Sequence, residues 1–184
     1  MAVSARALSA PLNIHNDHSD VMGARDTGWI QLFAENVQES YDNTFIGLKL
    51  GELSKIPVMS IMDGFITSHS VENLETIPDE AVKKFVGDFN PEQFLLDVDN
   101  PVAFGVMALP PHYFDFQIDQ DTAVREAQEN YKKITEEFFS ISGRRYDLFE
   151  TYRMEDAEHV IVLAGSAAGT AKEAVDRLRE KGEK

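Results

Sequence analysis

The chain has no cysteine, which excludes disulfides, thiolate metal sites, a cysteine nucleophile and ligation of an iron–sulfur cluster by this polypeptide. Any electron carrier that works with it is expected on another chain. Basic residues are scarce too. Lys and Arg number 17 against 32 Asp and Glu, a net charge of -15. That balance argues against a nucleic-acid partner, because phosphate recognition needs clustered Lys and Arg. An acidic shell fits solubility or a cationic partner. Long apolar runs are also missing: no stretch approaches a membrane span, and "MAVSARALSAPLNIH" lacks the hydrophobic run of a signal peptide, so a cytoplasmic location and no membrane partner are expected. The HExxH, D-x-D-x-D-G, G-x-S-x-G and P-loop signatures are absent, as are internal repeats and low-complexity tracts.

What is present is a globular mixture. The 184 residues, 43% of them hydrophobic, suffice for one domain, or one domain plus part of another, with a buried core. "MAVSARALSA" reads as a short helix of small residues and "PLNIH" (11–15) as a short strand. From Trp29, apolar residues recur at three- and four-residue steps through Leu48, the stripe of an amphipathic helix capped by Asp26 or Thr27. "PVMSIM" (57–62) is a strand. Strand, loop, helix, strand is the grammar of a βαβ unit, so the fold class is α/β with a parallel sheet. In that arrangement the polar loops 16–28 and 63–71 both leave carboxyl ends of strands, where ligands of open α/β sheets gather.

A helix follows at 78–88. Residues 89–117 carry four prolines and no clear period; they read as an ordered connection held by Phe94, Leu95, Phe104, Tyr113 and Phe114 and free to wrap another surface. A helix over 119–143 ends at Gly143 as a C-cap. A buried strand (159–164), a tight turn and a helix close the chain where a further strand should follow. The expected organisation is 1–118, a helical connector 119–155, and the start of a second α/β unit at 156–184.

Arg25 is the only Lys or Arg between Arg6 and Lys49. It serves either as a bidentate fork for a substrate carboxylate or as a structural ion-pair partner of Asp17, Asp20 or Asp26. "HNDHSD" holds four possible ligands, but residues one or two apart seldom converge on one ion, so no metal is expected here. Asp63, Ser68 and His69 in "DGFITSHS" read as ligand contacts or turn-stabilising groups rather than as the members of a hydrolase site. "GSAAGT" (165–170) has two glycines and no following Lys, which favours tight packing over a phosphate cradle. Glu35, Glu39 and Asp42, one helical turn apart, read as a solvated acidic face or an interface.

Three stretches together carry a resemblance: "SAPLNIHNDHSDVMGARDTGWIQLFAENVQESYD", "PVMSIMDGFITSHSVE" and "GRRYDLFETYRMEDAEHVIVLAGSAAGTAKEAVDRLREKG". The chain resembles the α subunits of the 2-oxoacid:ferredoxin oxidoreductases, with pyruvate as the expected substrate and branched-chain and aryl relatives sharing the scaffold. The resemblance implies the later part of a thiamine-diphosphate-binding, pyrimidine-type domain, followed by the start of a transketolase C-terminal-like domain. It implies oxidative decarboxylation of a 2-oxoacid, or the reverse reaction, with coenzyme A taking the acyl group and ferredoxin the electrons. Arg25 then matches the arginine that grips the 2-oxoacid carboxylate, with Asp26, Thr27, Ser68 and His69 adjacent to cofactor or substrate.

The family's substrate-contacting threonine and its activating glutamate precede the matched region, so no catalytic residue is assigned within this chain. Thiamine diphosphate is expected to be shared with another subunit, and magnesium and the iron–sulfur clusters to sit on other subunits. The chain is accordingly expected to be part of a longer α subunit, inactive alone. The alternative is a truncated paralogue that only assembles with other chains.

Overall fold

A computed structural model describes residues 1–105 and 107–184 of the protein. Its centre is a three-stranded parallel sheet of β1 (Ala2–Ala5), β2 (Ile30–Phe33) and β3 (Val58–Asp63), in the order β1-β3-β2. Ala2 pairs with Ser60 on one side of β3, and Ile30 with Val58 on the other. The α/β class and the parallel sheet are as the sequence predicts.

β3 is buried on both faces because side chains alternate along a strand. Val58 points into a cluster with Ile46, Leu50, Ile77, Phe85, Tyr131, Ile134 and Phe138. Met59 and Ile61 point the other way, against Ala5 and Val21. Apart from Val58 of β3 and Ile77, which precedes α3, the first cluster comes from three helices: α2 (Val37–Ser54), α3 (Asp79–Val86) and α4 (Tyr113–Ser142). The second lies under α1 (Ser19–Gly23) and a turn of 3-10 helix, Arg25–Thr27. A last helix, α5 (Ala167–Arg179), follows the turn at Gly165.

Four local expectations need correction. Residues 2–5 form an edge strand, not a helix; their small side chains let Gly64 come close, with its amide donating to the Ala5 carbonyl at 2.8 Å. Residues 11–15 form no strand, since that loop closes on itself through Ala7 N–H to His15 O and no strand among the described residues lies beside it. The stripe from Trp29 begins as strand β2. Ile30 and Leu32 pack towards α2 and α4, while Trp29 and Phe33 pack on the opposite side, so a strand apolar on both faces imitates helical spacing. Residues 159–164 are irregular and exposed, Val162 at 93%, because among the described residues no strand lies beside them to complete a ladder.

Helix α2 starts at Asn36 rather than at Asp26 or Thr27. The Asn36 side chain accepts from Glu39 N–H at 2.9 Å, and the Glu39 carboxylate accepts from Glu35 N–H at 2.8 Å. This reciprocal arrangement is the logic of a capping box. At the same end of the helical layer, Gly143 (φ 71°) caps α4, donating to Phe139 O at 2.8 Å.

Candidate functional site

β3 ends in Asp63, whose side chain is 1% exposed and lies on the same face as Met59 and Ile61. One carboxylate oxygen lies 2.7 Å from His18 Nε2. The other accepts from Asn16 Nδ2 at 3.0 Å and from both the amide and hydroxyl of Ser166, each at 2.7 Å. Burial pushes the Asp63 pKa up, but the hydrogen bonds from His18 and Ser166 outweigh it and hold the carboxyl below its ordinary 3.8. The group is therefore an anion at neutral pH, and it ties the loop after β1, the central strand and the start of α5 to one point. The His18 ring is held in turn against Phe33, centroids 5.1 Å apart.

The loop after Asp63 is tight. A Cβ on Gly64 would collide with the Ala5 carbonyl and the Arg6 side chain, so only glycine fits there. Phe65 takes a left-handed conformation (φ 70°), rare for an aromatic residue. The turn is held by Thr67 and Ser68 amides donating to Asp63 O at 3.0 and 3.1 Å, and by Phe65 N–H donating to Ser68 Oγ at 2.9 Å. Ser68 Oγ lies 2.8 Å from His69 Nδ1, and the His69 ring stacks on Phe65 at 4.8 Å. Adjacent sequence positions thus do meet here. Among the described residues no carboxylate orients His69, so the pair lacks the third member of a nucleophilic triad. Beside it a shallow groove runs between this loop and α2, lined by Val37, Ser40, Tyr41, Thr44, Met62, Thr67, Ser68 and Ser70. The lining mixes apolar and hydroxyl side chains and includes no charged residue, and the Tyr41, Thr44 and Ser70 hydroxyls already have partners in the chain.

Arg25, Asp26 and Thr27 form the 3-10 turn before β2. The Arg25 side chain is 69% exposed, and among the described residues its one ion-pair partner is Asp26 at 3.5 Å, itself exposed. Asp17 and Asp20 do not pair with it; Asp17 accepts from Ser19 N–H, and Asp20 from Arg6 N–H at 3.0 Å. Thr27 Oγ1 donates to Ala24 O at 2.6 Å. Loop 16–28 therefore does two jobs where the sequence suggests one. Its first residues come to the carboxyl edge at Asp63, whereas its last feed the amino end of β2, where Ile30 pairs with Val58. Arg25 is not among the groups gathered round Asp63.

The remaining candidates resolve as follows. The turn at Gly165 (φ 78°) holds the chain's own carboxylate, since a Cβ there would lie 2.6 Å from the Asp63 oxygens, and its Ser166 amide is bonded to that carboxylate rather than free for phosphate. Glu35, Glu39 and Asp42 are not a solvated face. Asp42 is fully buried, accepting from Arg144 Nε at 2.6 Å, Arg144 Nη2 at 2.8 Å and Tyr146 Oη at 2.6 Å. Glu39 is half-buried, which pushes its pKa up. Glu35 shares Lys172 with Glu150, at 2.9 and 2.8 Å. Burial pulls the Lys172 pKa down, but these two carboxylates outweigh it and raise it. No described group of three or more His, Asp or Glu side chains is placed to hold a metal ion.

Sequence reasoning missed Asp63 as the hub, and missed Arg144 and Tyr146 as partners of Asp42. The signal for Asp63 lay in its place between an apolar strand and a glycine; the Arg144 and Tyr146 contacts span about a hundred positions and leave no local trace.

Comparison with known proteins gives this geometry a family. The pyruvate flavodoxin/ferredoxin oxidoreductase thiamine-diphosphate-binding family matches residues 1–138. The pyruvate synthase subunit PorA of Thermotoga maritima is 50% identical over all of this chain and 47% of its own length. PorA of Pyrococcus abyssi is 42% identical over the same shares, and the ketoisovalerate oxidoreductase subunit VorA of Pyrococcus horikoshii is 41% identical over 97% of this chain and 46% of its own. The chain spans about half the length of the curated relatives it matches. It belongs to the pyruvate flavodoxin/ferredoxin oxidoreductase family, and its parallel sheet lies within that family's thiamine-diphosphate-binding domain.

Proposed function

We propose that the chain is part of the α subunit of a 2-oxoacid:ferredoxin oxidoreductase. The reaction is oxidative decarboxylation of pyruvate to acetyl-coenzyme A and carbon dioxide with reduction of ferredoxin, or its reverse. Arg25 carries this reading: an exposed guanidinium, loosely paired to one exposed carboxylate, keeps donors free for a substrate carboxylate. Holding the substrate by that fork supplies orientation, which lowers the entropic part of the barrier. Asp26 and Thr27 shape the turn that presents it.

The groove beside the Ser68–His69 pair is lined by apolar and hydroxyl-bearing residues and by no Lys or Arg. Such a donor set fits the uncharged aminopyrimidine end of thiamine diphosphate, with Ser68 and His69 beside it, and does not fit the diphosphate. When bound, the cofactor supplies the nucleophilic carbon and the electron sink. Its diphosphate, the magnesium ion and the iron–sulfur clusters belong to other subunits of the assembly, which suits a chain without cysteine. Residues 1–118 form the later part of the pyrimidine-type domain, 119–155 connect, and 156–184 open a transketolase C-terminal-like domain; the isolated chain is inactive. VorA's similarity supports 2-oxoisovalerate as the second substrate reading.

The test is Arg25→Ala in the assembled enzyme. At least a tenfold loss of kcat/KM for the 2-oxoacid, about 1.4 kcal/mol, is expected, with Arg25→Lys losing less. Unchanged kinetics would remove Arg25 from the site. Kinetics with pyruvate and 2-oxoisovalerate side by side decide the substrate.

A further inference from the structure

No lysine or arginine stands between Lys84 and Arg125. Over the first part of that stretch, after α3, the backbone is irregular and leaves the molecule's apolar side chains outward: Phe89, Phe94, Leu95, Leu96, Val98 and Phe104 are all exposed, Leu96 and Val98 by more than four-fifths. The sequence predicts that Phe94, Leu95 and Phe104 hold this segment down; they do not contribute to either buried cluster. The segment is nevertheless shaped. Asp97 accepts from the amides of Asp99 and Asn100, both at 3.1 Å, and Glu92 meets Lys55 at the end of α2 at 2.8 Å.

Apolar area of this extent, with aromatic residues and flanking charges, has the make-up of an interface core and rim. With Glu92 met by Lys55, the flanking charges left without a described ion pair are Asp88, Asp97 and Asp99, all acidic. That sign selects the partner. A second copy of this chain would bring the same acids face to face on two molecules each of net charge -15. A groove with apolar walls and a basic rim complements the segment on both counts.

We propose that residues 88–104 are a docking arm that lies in an apolar groove rimmed by Lys and Arg on another subunit of the assembly. This rests on the reading of the chain as one subunit of an oxidoreductase. The arm leaves the body between α3 and α4, on the helical side of the sheet. Electrostatic attraction sets the approach and the apolar anchors set the residence time.

The test is site-specific photo-cross-linking in the native assembly, with benzoylphenylalanine in place of Leu96 and, as a control, in place of the exposed Leu53. Leu96 is expected to cross-link to one co-purifying subunit at a peptide carrying Lys or Arg, and Leu53 is not. The double variant Asp88→Lys/Asp99→Lys is expected to weaken retention of that subunit at least tenfold in low salt, and salt is expected to weaken the wild type in the same direction. A cross-link to a second copy, a cross-link to another segment of the same chain, or an intact assembly with no cross-link would each overturn the arm while leaving the proposed function standing. Purification of the chain with no other subunit would overturn both.

Discussion

Removing the Arg144 guanidinium would leave a fully buried carboxylate without its cation. Asp42 sits on the inner side of α2, and Arg144 reaches it from just beyond the end of α4, so the pair fastens two helices across about a hundred residues. Two charge-assisted hydrogen bonds of 2.6 and 2.8 Å would be lost in Arg144→Ala, leaving only Tyr146 Oη at 2.6 Å and a long contact from Gln38 at 3.3 Å. Breaking one side of a buried pair costs about 3–5 kcal/mol. At about 2–4 °C per kcal/mol for a domain of this size, the melting temperature should fall by about 6–20 °C. Scanning calorimetry of the native assembly reads this directly. Arg144→Lys should recover part of the loss, keeping the charge but not the fork. The double variant Asp42→Leu/Arg144→Met should lose less than Arg144→Ala, because no charge is left stranded. A fall of under 2 °C for Arg144→Ala, or a double variant worse than the single, would refute the reasoning.

Asp63 has its pKa lowered, so its contribution to stability is present above the ordinary 3.8 and is lost as pH falls through the lower folded value. Hydrogen exchange at the Ser166 amide should accelerate in Asp63→Asn at neutral pH, and in the wild type only in the acid range; equal exchange in the two proteins at pH 7 would contradict the hub. Gly165→Ala should cost roughly 1–2 kcal/mol from its left-handed backbone alone, and more from the clash with Asp63, so a neutral melting temperature would count against the docking of α5. Tyr131 is pushed up by burial to about 12 from 10.0. Its contribution is therefore fully present below pH 10 and drains away as pH rises towards 12, a window that ultraviolet titration of the phenolates can compare with the wild type in Tyr131→Phe.

The parallel α/β class was legible because β3 is a short apolar run bounded by proline and glycine, and because Gly143 and the acids of α3 mark helix ends. β2 was not, since a strand buried on both faces has no period-two signature to set against the three-and-four spacing that Trp29, Leu32 and Phe33 happen to share. The Asn36–Glu39 box was a readable start signal and outranks the acids of the Arg25 turn, whose side chains cap nothing. At the site, Ser68 and His69 were legible as polar tips after a strand. Their mutual contact depends on the left-handed Phe65, a backbone choice that residue type alone argues against.

The bond between Asp63 and Ser166 has a consequence for the order in which the molecule is made. These residues are 103 positions apart, so a ribosome adding about 5–20 residues per second completes the central strand roughly 5–20 s before the serine exists. During that interval the carboxylate has only Asn16 and His18 to satisfy it, and the nascent sheet carries its anion half-solvated. Arrival of the last helix then brings the Ser166 amide and hydroxyl to the carboxylate and completes its hydrogen bonding.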